Sequence, residues 1–115
     1  MLGLTLVRQG KIPAAVAELS RAAELAPEYP RYAYVYGIAL NSVGESDRAR
    51  IVLDDAYRRH PGDQLLLTAL VTMSRDVGDW ESALRYAQDL VELIPEDPGA
   101  RQLLAEIKSS QGGKQ

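Results

Sequence analysis

Apolar and polar positions along the chain follow a helical period that breaks at regular intervals. Leu2 and Leu6, Tyr36 and Leu40, and Leu67 and Leu70 sit three or four residues apart. That spacing places side chains on one face of an α-helix. Ala15, Ala49 and Ala83 likewise have apolar partners four residues on, in Leu19, Leu53 and Ala87. The breaks fall at Gly and Pro. For the middle of the chain they predict helices over about 30–43 and 46–59. Pro30 suits a first helical turn, where its missing N–H is not needed. Gly44 supplies the left-handed residue that commonly closes a helix, and Pro61 disfavours helical geometry at His60. Further helices are predicted at about 64–77 and 80–93, with Asp79 as N-cap of the second. Earlier in the chain a short helix is predicted at about 2–9, and another at about 13–25 opened by Pro13.

The breaks are periodic. Pro27, Pro61 and Pro95 are evenly spaced, and Gly10, Gly44 and Gly78 keep the same interval, as do Ala15, Ala49 and Ala83. A heptad coiled coil does not put Gly and Pro in register at that interval, so the period marks an internal repeat. Each unit is a helix running into the Gly, a second helix after it, and a closing Pro. Small residues let the two helices approach: Ala15, Ala49 and Ala83 on the second helices, Gly3 and Gly37 on the first. The expected architecture is all-α, a stack of antiparallel helix pairs.

The middle unit, with Ala33, Tyr36, Gly37 and Leu40 followed by Ala49, Leu53 and Pro61, resembles the tetratricopeptide repeat signature. The first unit matches it at Leu2, Gly3, Leu6, Ala15, Leu19, Ala22 and Pro27. The third agrees at Gly78, Trp80, Ala83 and Pro95 but has Val71 where Gly is usual and Ser74 where a large residue is usual. The resemblance covers roughly residues 1–97. It implies a right-handed superhelix whose concave face is lined by the first helix of each pair. The units are expected at about 1–27, 28–61 and 62–95, within a domain spanning 1–109. Asp97-Pro98 starts one more helix, about 98–109, with Leu103, Leu104 and Ile107 on one face and Arg101, Gln102, Glu106 and Lys108 on the other. Such an amphipathic helix caps many repeat arrays. Residues 110–115 are expected to be a disordered polar tail. Met1 enters partway through the first helix of its unit, so the chain reads as the C-terminal part of a longer protein. The run Arg31-Tyr32-Ala33-Tyr34-Val35-Tyr36 loosely resembles repeat modules behind bacterial multihaem cytochrome domains, although no CxxCH haem-attachment motif is present.

Composition narrows the chemistry. The chain of 115 residues fits one domain of ordinary size, rich in Ala and Leu, with no Phe and 1 Trp. A formal charge of −3, with 13 Lys and Arg interleaved among 16 Asp and Glu, argues against nucleic acid as a partner. Phosphate binding needs an electropositive stripe. No apolar stretch is long enough to span a membrane, and no basic segment followed by a long apolar run marks a signal peptide. The absence of cysteine removes disulfides, thiolate metal sites and cysteine nucleophiles, and leaves the compartment open, cytoplasmic or periplasmic if bacterial.

Tests for catalysis and cofactors fail on the same residues. His60 is the single histidine and has no second His or Cys to complete a metal site, so it is expected to complement a helix C-terminus. Asp54 and Asp55 diverge on a helix, and Glu96-Asp97 precedes one, where acids favour the N-terminal end. No Gly-rich phosphate loop or nucleophile elbow occurs. The expectation is no enzyme and no cofactor or metal.

Four tyrosines cluster near the start of the middle unit. Tyr36 is expected in the core, Tyr29 and Tyr32 packing the junction between units, and Tyr34 in the groove, where an amphipathic ring can anchor a partner. Phase on the first helices groups Arg31, Tyr34, Ile38 and Asn41 on one face. A shift by one repeat gives Leu65, Thr68, Thr72 and Arg75 in the next unit and Leu4 and Val7 in the one before, with Gln102 on the last helix. What the resemblance implies is a scaffold that binds a protein or peptide on this surface, with an acidic partner suited to the two arginines. Some family members clamp a C-terminal carboxylate with Lys and Asn. Val35 and Ala69 stand where such polar groups are expected, which disfavours that use. The alternative is a structural module that extends a longer array or self-associates, as a weak homodimer, through its apolar N-terminal edge.

Overall fold

The structure is a computed structural model that describes the backbone of residues 12–113 and the side chains of residues 14–110. The short helix expected at 2–9, with Leu2, Gly3, Leu6 and Gly10, lies outside the described residues. Within them are six helices: α1 (Ile12–Leu25), α2 (Pro30–Ser42), α3 (Ser46–Arg59), α4 (Gln64–Asp76), α5 (Trp80–Leu93) and α6 (Pro98–Gly113). They divide into two compact units, one ending at His60 and one beginning at Pro61.

In the first unit α1 packs on α2 and α2 on α3. Pro30 occupies the first turn of α2, after Tyr29 in extended conformation. Helix α2 buries Tyr36, Gly37 and Leu40, and α3 buries Ala49, Leu53 and Ala56. The two helices come close together at Gly37. A Cβ placed there would lie 2.6 Å from Leu53 Cγ and 2.7 Å from its Cδ2, so only hydrogen fits against this fully buried leucine. The chain turns at Gly44, whose φ is +85°. The Gly44 N–H donates to the Asn41 carbonyl at 3.1 Å and the Glu45 N–H to the Leu40 carbonyl at 2.9 Å. This paired closure of the last carbonyls is the Schellman motif, which the left-handed glycine permits.

The second unit repeats the device. Gly78 has φ +80°, its N–H donates to Arg75 at 3.0 Å, and the Asp79 N–H donates to Ser74 at 2.9 Å. Each bond matches its counterpart in the first unit after a shift by one repeat. Asp63 caps α4 by accepting from the Leu66 N–H at 2.9 Å, and Asp79 caps α5 by accepting from the Ser82 N–H at 3.2 Å. Carboxylates there satisfy helix-start donors that lack a partner in the helix. Helix α4 buries seven residues, from Leu66 through Ser74, and packs on α5, which in turn packs on α6.

The departures seen at Val71 and Ser74 acquire a physical reading. Val71 stands one repeat after Gly37, and Ala87 one repeat after Leu53; both are fully buried. The first unit sets no side chain against a large one, and the second sets a medium one against a small one. Volume moves across the helix pair while its sum is roughly kept, which cores tolerate. Ser74 is less well accommodated. Its hydroxyl is fully buried and has no hydrogen-bond partner among the described residues.

Pro61 and Pro95 end α3 and α5 in the same way. His60 (φ −131°, ψ 68°) and Ile94 (φ −132°, ψ 69°) leave helical geometry immediately before the proline. On α6, Ala100 and Ile107 are buried, Leu103 and Leu104 half-buried, and Arg101, Gln102, Glu106 and Lys108 exposed. Asp97 accepts from the Ala100 N–H at 2.8 Å and so caps this helix. Helix α6 runs on to Gly113, past the end expected at 109, so residues 110–113 are helical where a disordered tail was expected. The segment has no proline, and each added residue extends an existing helix without a new nucleation cost. Residues 114–115 lie outside the described residues.

Candidate functional site

On α2 the residues grouped by phase share one face, within about 80° of arc at 100° per residue. Arg31, Ile38 and Asn41 are exposed and Tyr34 half-buried. Val35, on the same helix, is 40% exposed and Ile38 38%, although both are aliphatic. Asn41 is held at the helix end, its Oδ1 accepting from the Ser46 hydroxyl at 2.9 Å. The face therefore presents one guanidinium, one amide, one phenol and accessible aliphatic surface. Its opposite side, through Tyr36, Gly37 and Leu40, is fixed in the core.

On α4, described by itself, Leu65 and Thr68 are exposed, Leu65 by 58%, while Thr72 and Arg75 are half-buried. The Thr72 hydroxyl donates to the Ala69 carbonyl at 3.1 Å, within its own helix. Arg75 Nε lies 3.3 Å from Asp76 Oδ1 in an exposed ion pair. Such pairs are worth about 0–1 kcal/mol, so this one does not hold the guanidinium against a competing carboxylate. Val35 and Ala69 differ: Val35 adds to the exposed face of α2, whereas Ala69 is buried. Gln102 is exposed on α6. Leu4 and Val7, and with them the apolar N-terminal edge, lie outside the described residues.

The tyrosines sort partly as expected. Tyr36 is buried, and its hydroxyl accepts from Arg48 at 3.0 Å, a bond not visible in sequence. Tyr29 and Tyr32 do not pack away in a junction. Both are exposed, and they meet each other edge to face with ring centroids 5.8 Å apart.

The residues tested for chemistry take structural partners. Asp54 pairs with Arg58 at 2.8 Å and Asp55 with Arg59 at 3.0 Å, each one helical turn on. His60 ends α3, and its Nε2 lies 2.9 Å from the Pro27 carbonyl, tying the end of α3 to the turn after α1. With a carbonyl as acceptor, that nitrogen carries the proton. Among the described residues no group of three or more His, Cys, Asp or Glu is placed to hold a metal ion, and no helix is long and apolar enough to cross a membrane.

Comparison with known proteins agrees with this geometry. The tetratricopeptide repeat family model matches residues 1–64 of the 115. No curated protein matches the sequence significantly. Among solved structures the chain is similar to the ArsTM double mutant of MamA RS-1, from Desulfovibrio magneticus, at 22% identity and a TM-score of 0.78, covering 96% of this chain and 62% of that one. It thus spans less than two thirds of that relative's length. It is also similar to the Sgt2 TPR domain from Aspergillus fumigatus, at 17% identity and a TM-score of 0.77, over 96% of this chain and 74% of the other. A third is the first TPR of Spaghetti (RPAP3) bound to the HSP90 peptide SRMEEVD, at 16% identity and a TM-score of 0.76, over 96% and 87%. At these identities the likeness shows the fold.

Proposed function

The chain belongs to the tetratricopeptide repeat family, and on that premise we propose that it is a non-catalytic scaffold that binds a protein or peptide through the first helices of its repeats. The observation that carries the reading is the face of α2. A helix locked into the core by Tyr36, Gly37 and Leu40 leaves Val35 and Ile38 in water beside Arg31 and Tyr34. An arginine and a tyrosine side by side are the residue types enriched in binding hot spots, and accessible aliphatic surface adjoins them. Leu65, Thr68, Thr72 and Arg75 on α4, and Gln102 on α6, are the matching candidates within the second unit. The related repeat of RPAP3 is bound to a peptide with consecutive acidic residues. By analogy, Arg31 and Arg75 suit an acidic or carboxylate-bearing segment, because the guanidinium fork matches a carboxylate.

The test uses the chain as bait and then as a purified binder. A scaffold retains a foreign partner, whereas a module devoted to self-assembly recovers mainly its own copies. Against the purified partner, the double change Arg31→Ala and Arg75→Ala should weaken binding by roughly tenfold or more, at unchanged helicity by circular dichroism. Equal affinity before and after both changes would remove this face from consideration.

A further inference from the structure

The first unit holds a concave feature on the other side of α2 from the proposed binding face. A cavity of about 410 Å³ opens between α1, α2 and α3. From α2 it is lined by Ala33 and Tyr36, which lie about 150° round the helix from the Arg31, Tyr34, Ile38 and Asn41 face. Ala23 and Ala33 form part of its apolar wall, and Tyr29, 57% exposed, stands at its edge. Its charged lining is Glu24 from α1 and Asp55 and Arg59 from α3. Two carboxylates against one guanidinium leave the cavity negative by one charge.

The existing bonds leave that charge accessible. Asp55 and Arg59 meet at 3.0 Å, but with side chains 61% and 54% exposed. An exposed pair of this kind exchanges partners at little cost. One carboxylate also has acceptor sites for more than one donor. Among the described residues Glu24 accepts from the Ser20 hydroxyl at 3.5 Å, the outer limit of a hydrogen bond. Apolar walls, an exposed aromatic ring and accessible carboxylates together suit a long side chain with an aliphatic stem and a cationic head. The stem covers the alanines, and the head meets Glu24, Asp55 and the Tyr29 ring.

The geometry points to this cleft as a docking site for an arginine or lysine side chain of a partner polypeptide, separate from the face of α2 that bears Arg31. Both sites draw on α2 of the first unit, but the cleft takes Ala33 and Tyr36 from its other side and carries charge of the opposite sign, so the two differ in position and in charge.

The experiment follows backbone amide shifts of the isotope-labelled chain during titration with an alanine-based peptide carrying a single arginine. The same peptide with citrulline, a neutral isostere, is the control. The arginine peptide should produce saturable shifts at Ala23, Glu24, Tyr29, Ala33 and Asp55, and the citrulline peptide should not. Glu24→Gln should weaken the arginine peptide by about fivefold or more, as loss of a charge-assisted hydrogen bond implies. Tyr29→Leu should weaken it to a smaller degree. Both residues are exposed, so helicity should persist, and each variant checks the other should one fail to fold. Arg31→Ala with Arg75→Ala should leave this binding unchanged, so that failure of either proposed site is distinguishable from failure of the other. Shifts scattered over all exposed carboxylates, equal binding of the citrulline peptide, or no effect of Glu24→Gln would each overturn the assignment.

Discussion

Gly37 and Leu53 show how much a single hydrogen atom can decide. A methyl group at Gly37 would sit 2.6 Å from Leu53 Cγ, and Leu53 is itself fully buried. Gly37→Ala should therefore destabilise the chain by about 1–3 kcal/mol, the usual cost of overpacking, despite the better helix propensity of alanine. The second unit suggests the remedy, because it pairs Val71 with Ala87 at the matching positions. Gly37→Val combined with Leu53→Ala should lose much less stability than the two single changes added together. Chemical denaturation of the four proteins measures the coupling, which should reach roughly 0.5–3 kcal/mol for side chains in contact. Additive effects would place the two residues out of contact. Ser74 offers the opposite case. Its buried hydroxyl lacks a partner, and leaving such a group unpaired costs about 1–3 kcal/mol. Ser74→Ala should accordingly raise the melting temperature, by around 4 °C for each kcal/mol recovered. A fall would show that the hydroxyl is bonded after all.

Several helices are bounded by residues that bond the backbone at their ends. Aspartates at 63, 79 and 97 each accept from the backbone three residues on, at 2.8–3.2 Å. Gly44 and Gly78 close α2 and α4 with matching pairs of hydrogen bonds. At both glycines a Cβ would meet nothing within 4 Å, while φ is +85° and +80°. Substitution there is a pure test of backbone strain. Gly44→Ala and Gly78→Ala should each cost about 1–2 kcal/mol, the penalty of left-handed geometry for a residue with a side chain. Because the two turns share one geometry, the two costs should agree closely. Thermal unfolding of each variant measures this, and a large disagreement would mean that packing rather than φ sets the penalty. His60 adds a link of another kind, since its contact with Pro27 joins residues 33 positions apart in the chain.

Across the chain, repetition produces likeness in the backbone and difference in the side chains. Both units turn through the same bonds, yet α2 buries three residues and α4 buries seven. The surface is correspondingly uneven. The face of α2 with Arg31 and Ile38 is proposed for an acidic partner, and the cleft with Glu24 and Asp55 for a basic side chain. With a formal charge of −3 the chain is close to balanced, so attraction at each proposed site depends on local charge and should weaken as salt screens it.

Periodicity, the all-helical fold and most of the described helix boundaries, the end of α6 excepted, were legible in the chain because their causes are local. A proline disturbs the residue beside it, a glycine permits a positive φ where it stands, and an aspartate caps the helix that follows. The glycine and the proline recur once per repeat, and the family resemblance rests in part on them. The grouping of Arg31, Tyr34, Ile38 and Asn41 on one face was legible for the same reason, since helical phase is a property of a single segment. What they bind was not legible, because it depends on a molecule that the sequence does not contain. Four other features required the folded chain. Val71 and Ser74 read as lapses from the repeat, because the compensation for one lies across the helix pair at Ala87 and the other has none. Tyr29 and Tyr32 read as junction packing, but their exposure depends on which surface the neighbouring helices leave uncovered. The link from His60 to Pro27 and the cleft bounded by Glu24, Asp55 and Tyr29 join residues from separate helices. Spacing along one helix specifies direction, whereas contact between helices depends on the volumes of both partners, and that is settled only when they pack.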